Sequence, residues 1–309
     1  MKLEHLISTK QFRFREELRE IFETAGEMEK REKSGKFPPD CSGKILATVF
    51  YEPSTRTRFS FETAMYKLGG NVITSENAAE FSSAKKGESL EDSMRVISGY
   101  ADAIVLRHPE EGSALRASKS ARVPLINAGD GSGEHPTQAL LDLYTAEKEL
   151  ARLDDISIAF VGDLKYSRTI HSTLYLLPLY RNIRVCLVSP PQLKLPEEYE
   201  EYLREKNIPF EEVATAEEAA GRADILSVTR IQQERFASRE EYERLKGSYV
   251  INKKVLDRMK KDSIIMHPLP RVSEIAPEVD EDARAAYFRQ TKNGVYVRMA
   301  LLKMMLLGS

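Results

Sequence analysis

Three features of the sequence predict an α/β protein of two doubly wound domains, each built on a mainly parallel sheet. Short apolar runs of β type alternate with stretches whose apolar residues recur at helical spacing. The alternation occurs in two series, separated by a glycine-dense segment at 128–138. At 309 residues the chain is long enough for two cores of ordinary size.

Residues 11–33 carry a helical stripe of Leu18, Ile21, Phe22, Ala25 and Met28, broken by Ser34-Gly35-Lys36-Phe37-Pro38-Pro39. Ile45-Leu46-Ala47-Thr48-Val49-Phe50 is the opening strand. It feeds a turn through Pro53, after which Phe61, Ala64, Met65 and Leu68 keep helical spacing until Gly69-Gly70. A second strand is expected at 71–74, then a long polar surface loop over 81–89 and a helix running through Tyr100. Residues 103–107 and 123–127 predict the third and fourth strands. The second series has strands at 156–163, 183–189, 210–213, 225–229 and 264–266, with helices between them. An apolar helical pattern over 282–307 closes the chain. The expected domains are 1–134 and 135–286, with a C-terminal helix at 287–309 packing back on the first, and ligands are expected at the carboxyl ends of the strands, in the cleft between domains.

The bulk numbers exclude several classes. Lys and Arg number 46 against 48 acidic residues, a net charge of -2, so nothing in the overall charge favours nucleic acid or an anionic membrane. Cys41 and Cys186 form neither a CxxC pair nor a Cys/His cluster, which argues against a disulfide framework and a structural zinc. Met1-Lys2-Leu3-Glu4-His5 lacks the apolar core of a signal peptide, and no run approaches the roughly 18 apolar residues of a membrane span. A soluble, cytoplasmic protein with no bound metal or cofactor is expected.

The chemistry is concentrated where strands end. After the first strand, Ser54, Thr55 and Thr57 hydroxyls and the Arg56 and Arg58 guanidiniums surround a helix N-terminus, whose first N–H groups have no intrahelical acceptor. Two arginines there oppose the helix dipole unless an anion reverses the sign, and a phosphate suits the site. Further along stand Arg107, His135, Gln138, Arg168, Arg230, Gln232 and the Leu269-Pro270 pair. Fixed cations and neutral hydrogen-bonding groups, without a carboxylate pair or a Ser/His/Asp order, suit polyanion binding and stabilisation of developing charge rather than covalent catalysis. Singly, most have plainer readings: Ser54 and His135 as helix caps, Arg168 and Arg230 as surface ion pairs, Lys85-Lys86 as a solvated charge run, and His171 and His267 as satisfied structural histidines.

The order of the pieces is more specific than any one of them. Ser54-Thr55-Arg56-Thr57-Arg58, Lys85-Lys86-Gly87-Glu88, the segments 131–138 and 161–169, Thr229-Arg230-Ile231-Gln232 and His267-Pro268-Leu269-Pro270-Arg271 together resemble the aspartate and ornithine carbamoyltransferase family, over effectively the whole chain. The resemblance implies transfer of a carbamoyl group from carbamoyl phosphate to L-aspartate, an early step of pyrimidine biosynthesis. It assigns the phosphate to Ser54, Thr55, Arg56 and Thr57. The carbamoyl oxygen falls to Thr57, Arg107 and His135, and the carbamoyl NH2 to Gln138 with the main-chain carbonyls of Leu269 and Pro270. It gives the α-carboxylate of aspartate to Arg168 and the side-chain carboxylate to Arg230 and Gln232. Ser82 and Lys86 would enter the active site of a neighbouring subunit, which implies a homotrimer with shared sites. Some relatives also assemble with a separate, zinc-containing, nucleotide-binding regulatory chain that makes them allosteric.

Other readings compete. Ornithine-specific relatives show a cysteine where this chain has Pro268, and an Arg230/Gln232 pair suits a second carboxylate better than an ammonium group. An NAD-dependent oxidoreductase would account for two wound sheets but lacks its G-x-G-x-x-G fingerprint. A non-catalytic anion-binding subunit would account for Arg56 and Arg58, but not for Arg107, His135, Gln138 and Arg230 at successive strand ends.

Overall fold

The computed structural model describes residues 3–78, 87–231, 238–245, 247 and 249–308. The chain forms two compact units, one of Met1–Leu141 with Lys292–Ser309 and one of Asp142–Thr291.

The first unit holds a parallel sheet in the order β2-β1-β3-β4, with β1 at Ile45–Phe50, β2 at Asn71–Glu76, β3 at Ala103–His108 and β4 at Leu125–Asp130. β1 and β4 are buried along nearly their whole length, as expected of strands covered on both faces, whereas β2 is a partly exposed edge. From β1 the chain steps out to β2 and then returns to the other side of β1 for β3. The strand order therefore reverses between β1 and β3, where open α/β sheets form a ligand crevice.

Element boundaries differ from the sequence reading for local reasons. β4 starts at Leu125, where Leu6 pairs with it through Leu6 N–H to Leu125 O and Asn127 N–H to Leu6 O, both 2.8 Å, and runs on to Asp130, which stands opposite His108 on β3. The helix expected through Tyr100 is Leu90–Ile97, and Ser98 ends it by turning its hydroxyl back onto Met94 O at 2.6 Å. The last helix is Tyr287–Leu307 and begins later than residue 282: Pro277–Glu281 is a 3-10 turn, and Asp282 captures the Arg284 amide at 2.9 Å.

The C-terminal helix is tied into the first unit by charge. Glu32, near the end of the helix Arg15–Lys33, accepts from Lys67 and Lys292, each at 2.7 Å, and from the Tyr296 hydroxyl. Burial would raise its carboxyl, but these donors win and hold it at about 2, below the ordinary 4.5. A depressed carboxyl contributes stability that is complete above its unfolded value and lost as pH falls through its folded one. Glu32→Gln is expected to lower the urea midpoint at pH 7 and to flatten its decline between about pH 4.5 and 2. Midpoints that fall in parallel with wild type would contradict this.

The second unit holds a parallel sheet in the order β7-β6-β5-β8-β9, with β5 at Ser157–Val161, β6 at Arg184–Val188, β7 at Phe210–Glu212, β8 at Ile225–Val228 and β9 at Ile264–Met266. Its core packs Val161, Val188, Leu226, Val228 and Ile265 with Ala219, Val255 and Tyr287. Here the strand order reverses between β5 and β8. Both parallel sheets match the predicted fold class. Among the described residues no helix is long and apolar enough to cross a membrane.

Candidate active site

The switch point of the first sheet collects the residues expected to bind phosphate. Ser54 enters the helix Thr55–Lys67 at φ -155° and ψ 83° and makes no side-chain cap bond, while Arg58 N–H closes the first turn on Ser54 O at 3.0 Å. Thr57 is buried and Arg56 exposed. Arg58 departs from expectation: its guanidinium pairs with Glu76 at 3.0 Å and Glu62 at 3.8 Å, and donates to the Thr74 hydroxyl at 3.3 Å. Arg58 thus ties its helix to β2.

Arg107 lies on β3 in register with Phe50, and its carbonyl accepts from Tyr51 N–H at 2.9 Å. Its guanidinium forms an ion pair with Glu52 at 3.3 Å, across the same switch point. His135 and Gln138 stand one turn apart at the start of the helix Pro136–Leu150, only 4% and 8% exposed. The turn before them is built on Asp130, which accepts from Asn127 Nδ2 at 3.1 Å, Glu134 N–H at 2.9 Å and Gly112 N–H at 3.0 Å. Glu134 in turn accepts from Thr9 N–H and Oγ1 at 2.8 and 2.9 Å. The approach to His135 is therefore held from two sides.

Arg168 and Arg230 occupy the corresponding place in the second unit. Arg168 opens the helix Arg168–Leu174, after a turn in which Tyr166 N–H donates to Asp163 Oδ1 at 3.0 Å. Arg230 follows Thr229, whose N–H donates to Val161 O at 2.8 Å and whose hydroxyl donates to Asp163 O at 3.2 Å. The two turns are thus bonded to each other at the β5/β8 switch point. Gly162 permits this approach: it stands at φ +117°, and a Cβ there would lie 2.2 Å from Thr229 O. Gly162→Ala is expected to cost more than ~2 kcal/mol of stability through backbone strain and to weaken any ligand held by Arg168 and Arg230. An unchanged denaturation midpoint would contradict the first expectation.

Past β9, a cis peptide joins Leu269 to Pro270, and His267 and Glu274 are buried beneath them. Arg271 pairs with Asp280 and donates to Tyr287 Oη at 3.1 Å, a structural role. His171 is structural as well, bonded through Nε2 to Leu164 O at 3.0 Å and stacked on Tyr199 at 4.1 Å. Both cysteines are buried and reduced, and burial pushes each thiol up to about 11. Ser82, Lys86 and Gln232 lie outside the described residues. A cavity of about 870 Å³ in the second unit opens near Ser157, Arg184, Pro209 and Asp224, at the amino ends of the strands and away from Arg168 and Arg230.

Sequence reasoning missed the acids that shape these turns: Glu52, Asp130, Asp163 and Glu274. Only Gly129-Asp130-Gly131 and Gly162-Asp163 carried a signal, an aspartate beside glycine directly after a strand.

Each switch point, furnished with arginines beside a helix start, suits anionic groups on a doubly wound fold, and comparison with known proteins places the chain. Residues 4–148 match the carbamoyl-phosphate-binding domain, and residues 154–305 the Asp/Orn-binding domain, of the aspartate/ornithine carbamoyltransferases, and the chain belongs to that family. Several similar proteins within it are named aspartate carbamoyltransferase or aspartate transcarbamoylase. The aspartate carbamoyltransferase catalytic subunit of Methanocaldococcus jannaschii is 54% identical over 97% of both chains. A solved structure of the M. jannaschii catalytic subunit, 53% identical, superposes with a TM-score of 0.91 over 98% of each chain. A Trypanosoma cruzi aspartate transcarbamoylase in complex with carbamoyl phosphate and aspartate is 37% identical, with a TM-score of 0.91 over 99% of this chain and 96% of that one. The chloroplastic aspartate carbamoyltransferase of Arabidopsis thaliana is 52% identical over 99% of this chain and 79% of its own length.

Proposed function

We propose that this chain transfers the carbamoyl group of carbamoyl phosphate to the amine of L-aspartate, giving N-carbamoyl-L-aspartate and phosphate, in pyrimidine biosynthesis. The observation that carries the reading is that one unit has an arginine-bearing helix N-terminus at its switch point and the other has Arg168 and Arg230 at its own. The residues of 1–134, with 287–309 returning to them, take carbamoyl phosphate, and those of 135–286 take aspartate.

The phosphate sits on Ser54, Thr55, Arg56 and Thr57, whose charges and donors match its oxygens. Thr57, Arg107 and His135 donate to the carbamoyl oxygen, and Gln138 with the Leu269 and Pro270 carbonyls accepts from its NH2. The planar electrophile is thereby fixed for attack. Arg168 takes the α-carboxylate, and Arg230 with Gln232 the side-chain carboxylate. The neutral amine attacks the carbamoyl carbon, the bond from that carbon to the phosphate oxygen breaks, and the departing phosphate accepts the amine proton. Arg56 offsets the charge that builds on that oxygen. The step balances with no redox partner.

The partly exposed edge strand β2, with Ile73 at 43%, and the exposed Phe59 and Tyr66, at 52% and 60%, support a homotrimer. In it Ser82 and Lys86 complete a neighbour's site. Sedimentation at three times the 35.1 kDa chain mass tests this, and a monomer would refute it. The reading places the enzyme in the cytoplasm. Allosteric control would fall to a separate zinc-containing regulatory chain, since this sequence holds neither a Cys/His cluster nor a nucleotide fingerprint.

The reaction is tested by offering L-aspartate and L-ornithine side by side with carbamoyl phosphate and measuring the ureido product. Turnover with aspartate alone is expected. Turnover with ornithine, or with neither, would overturn the reading.

A further inference from the structure

The loop that follows β9 closes on a buried histidine. His267 is 1% exposed and Glu274 6%. Leu269 N–H donates to His267 Nδ1 at 2.7 Å. An amide can only donate, so Nδ1 carries no proton and the neutral ring keeps its single hydrogen on Nε2. That hydrogen faces Glu274 Oε1 at 2.8 Å. The other oxygen, Oε2, accepts from Val272 and Ser273 N–H, both at 3.1 Å. Burial would raise the Glu274 carboxyl, but His267 and the backbone donors hold it below the ordinary carboxylate value. His267 N–H is itself anchored on Gln290 Oε1 at 2.9 Å, and Gln290 donates to Asp142 at 2.6 Å.

The ring is thus fixed from both ends, and what it fixes is one peptide unit. Leu269 stands at φ +53°, a left-handed conformation that a bulky residue keeps only where its surroundings hold it. The bond from its N–H to Nδ1 supplies that hold.

We infer that His267 is a positioning residue: its neutral ring, set by Glu274, holds the Leu269–Pro270 carbonyls where they accept from the carbamoyl NH2 group. This rests on the proposed reaction and deepens it. Phosphate has no NH2 to offer these carbonyls, so the device separates carbamoyl phosphate from its own product. The ring touches no substrate.

Two substitutions in the full chain separate the two bonds. His267→Asn keeps an oxygen near the Nδ1 position and with it an acceptor for Leu269 N–H. His267→Gln keeps a donor near Nε2 and loses that acceptor. The readouts are kcat/KM for carbamoyl phosphate at saturating aspartate, the dissociation constant of inorganic phosphate, and the melting temperature. His267→Gln is expected to lose about 10- to 100-fold in kcat/KM, the scale of a small misplacement of a binding group, with phosphate affinity held within about twofold. His267→Asn is expected to recover most of the loss. Glu274→Gln gives a second reading should His267→Gln fail to fold. Its single oxygen cannot serve both the two amides and Nε2–H, so the tautomer is no longer fixed, and a smaller loss in the same direction is expected.

Wild-type kcat/KM in His267→Gln, or an equal fall in His267→Asn at the same melting temperature, would overturn the inference. So would unchanged kinetics in Glu274→Gln. Inactivity of the wild type toward aspartate would instead remove the reaction on which it rests, so the two failures are told apart.

Discussion

Arg56→Ala is expected to lower kcat by about two to three orders of magnitude, the scale of losing one preorganised group aimed at developing charge. It stands in the first turn of the helix Thr55–Lys67, whose N–H groups face the proposed phosphate, whereas Arg58 pairs with Glu62 and Glu76. On the proposed assignment Ser54, Thr55 and Thr57 would still hold the phosphate in the ground state, so the KM for carbamoyl phosphate should rise less than kcat falls. Charge gathers on the bridging oxygen only as the bond to carbon breaks, and that is when Arg56 acts most strongly. Steady-state kinetics with carbamoyl phosphate varied at saturating aspartate separates these effects. A large rise in KM with kcat intact would make Arg56 a uniform binder and remove its part in the chemistry.

Arg230→Ala is expected to act on the other substrate. A charge-assisted hydrogen-bond pair to a carboxylate is worth about 1.5–3 kcal/mol, so the KM for aspartate should rise roughly 10- to 150-fold. Carbamoyl-phosphate affinity, measured without aspartate, should stay unchanged, because Arg230 belongs to the β5/β8 switch point and the phosphate residues belong to β1/β3. Arg230→Lys should not restore aspartate binding, since an ammonium group lacks the planar fork that matches a carboxylate. A fall in carbamoyl-phosphate affinity with unchanged aspartate KM would contradict the assignment.

Much of the fold was legible because parallel strands covered on both faces read as apolar runs. Ile45–Phe50 and Ile264–Met266 stand where the sequence put them. Boundaries failed where one side chain decides them. Ser98 ends a helix by bonding back to Met94, and Asp282 delays one by capturing Arg284, and neither act has a periodicity to detect. Strand order was not legible at all, yet it is what creates the two switch points. Of the candidate residues, arginines at strand ends were easy to find because a fixed charge after an apolar run is conspicuous. Their supporting acids were not, since Glu52 and Glu274 look like ordinary surface charges until the fold brings Arg107 and His267 against them.

The measurement that tests the central claim most directly is calorimetric binding of N-(phosphonacetyl)-L-aspartate, which joins a phosphate mimic to the aspartate dicarboxylate in one molecule. If both substrates share one site, tethering turns the second binding event into an intramolecular one, and the compound should bind at least ~100-fold more tightly than inorganic phosphate or aspartate alone. Arg56→Ala and Arg230→Ala should each weaken it. Affinity no greater than that of phosphate, or insensitivity to Arg230→Ala, would mean that the two switch points do not serve a single reaction.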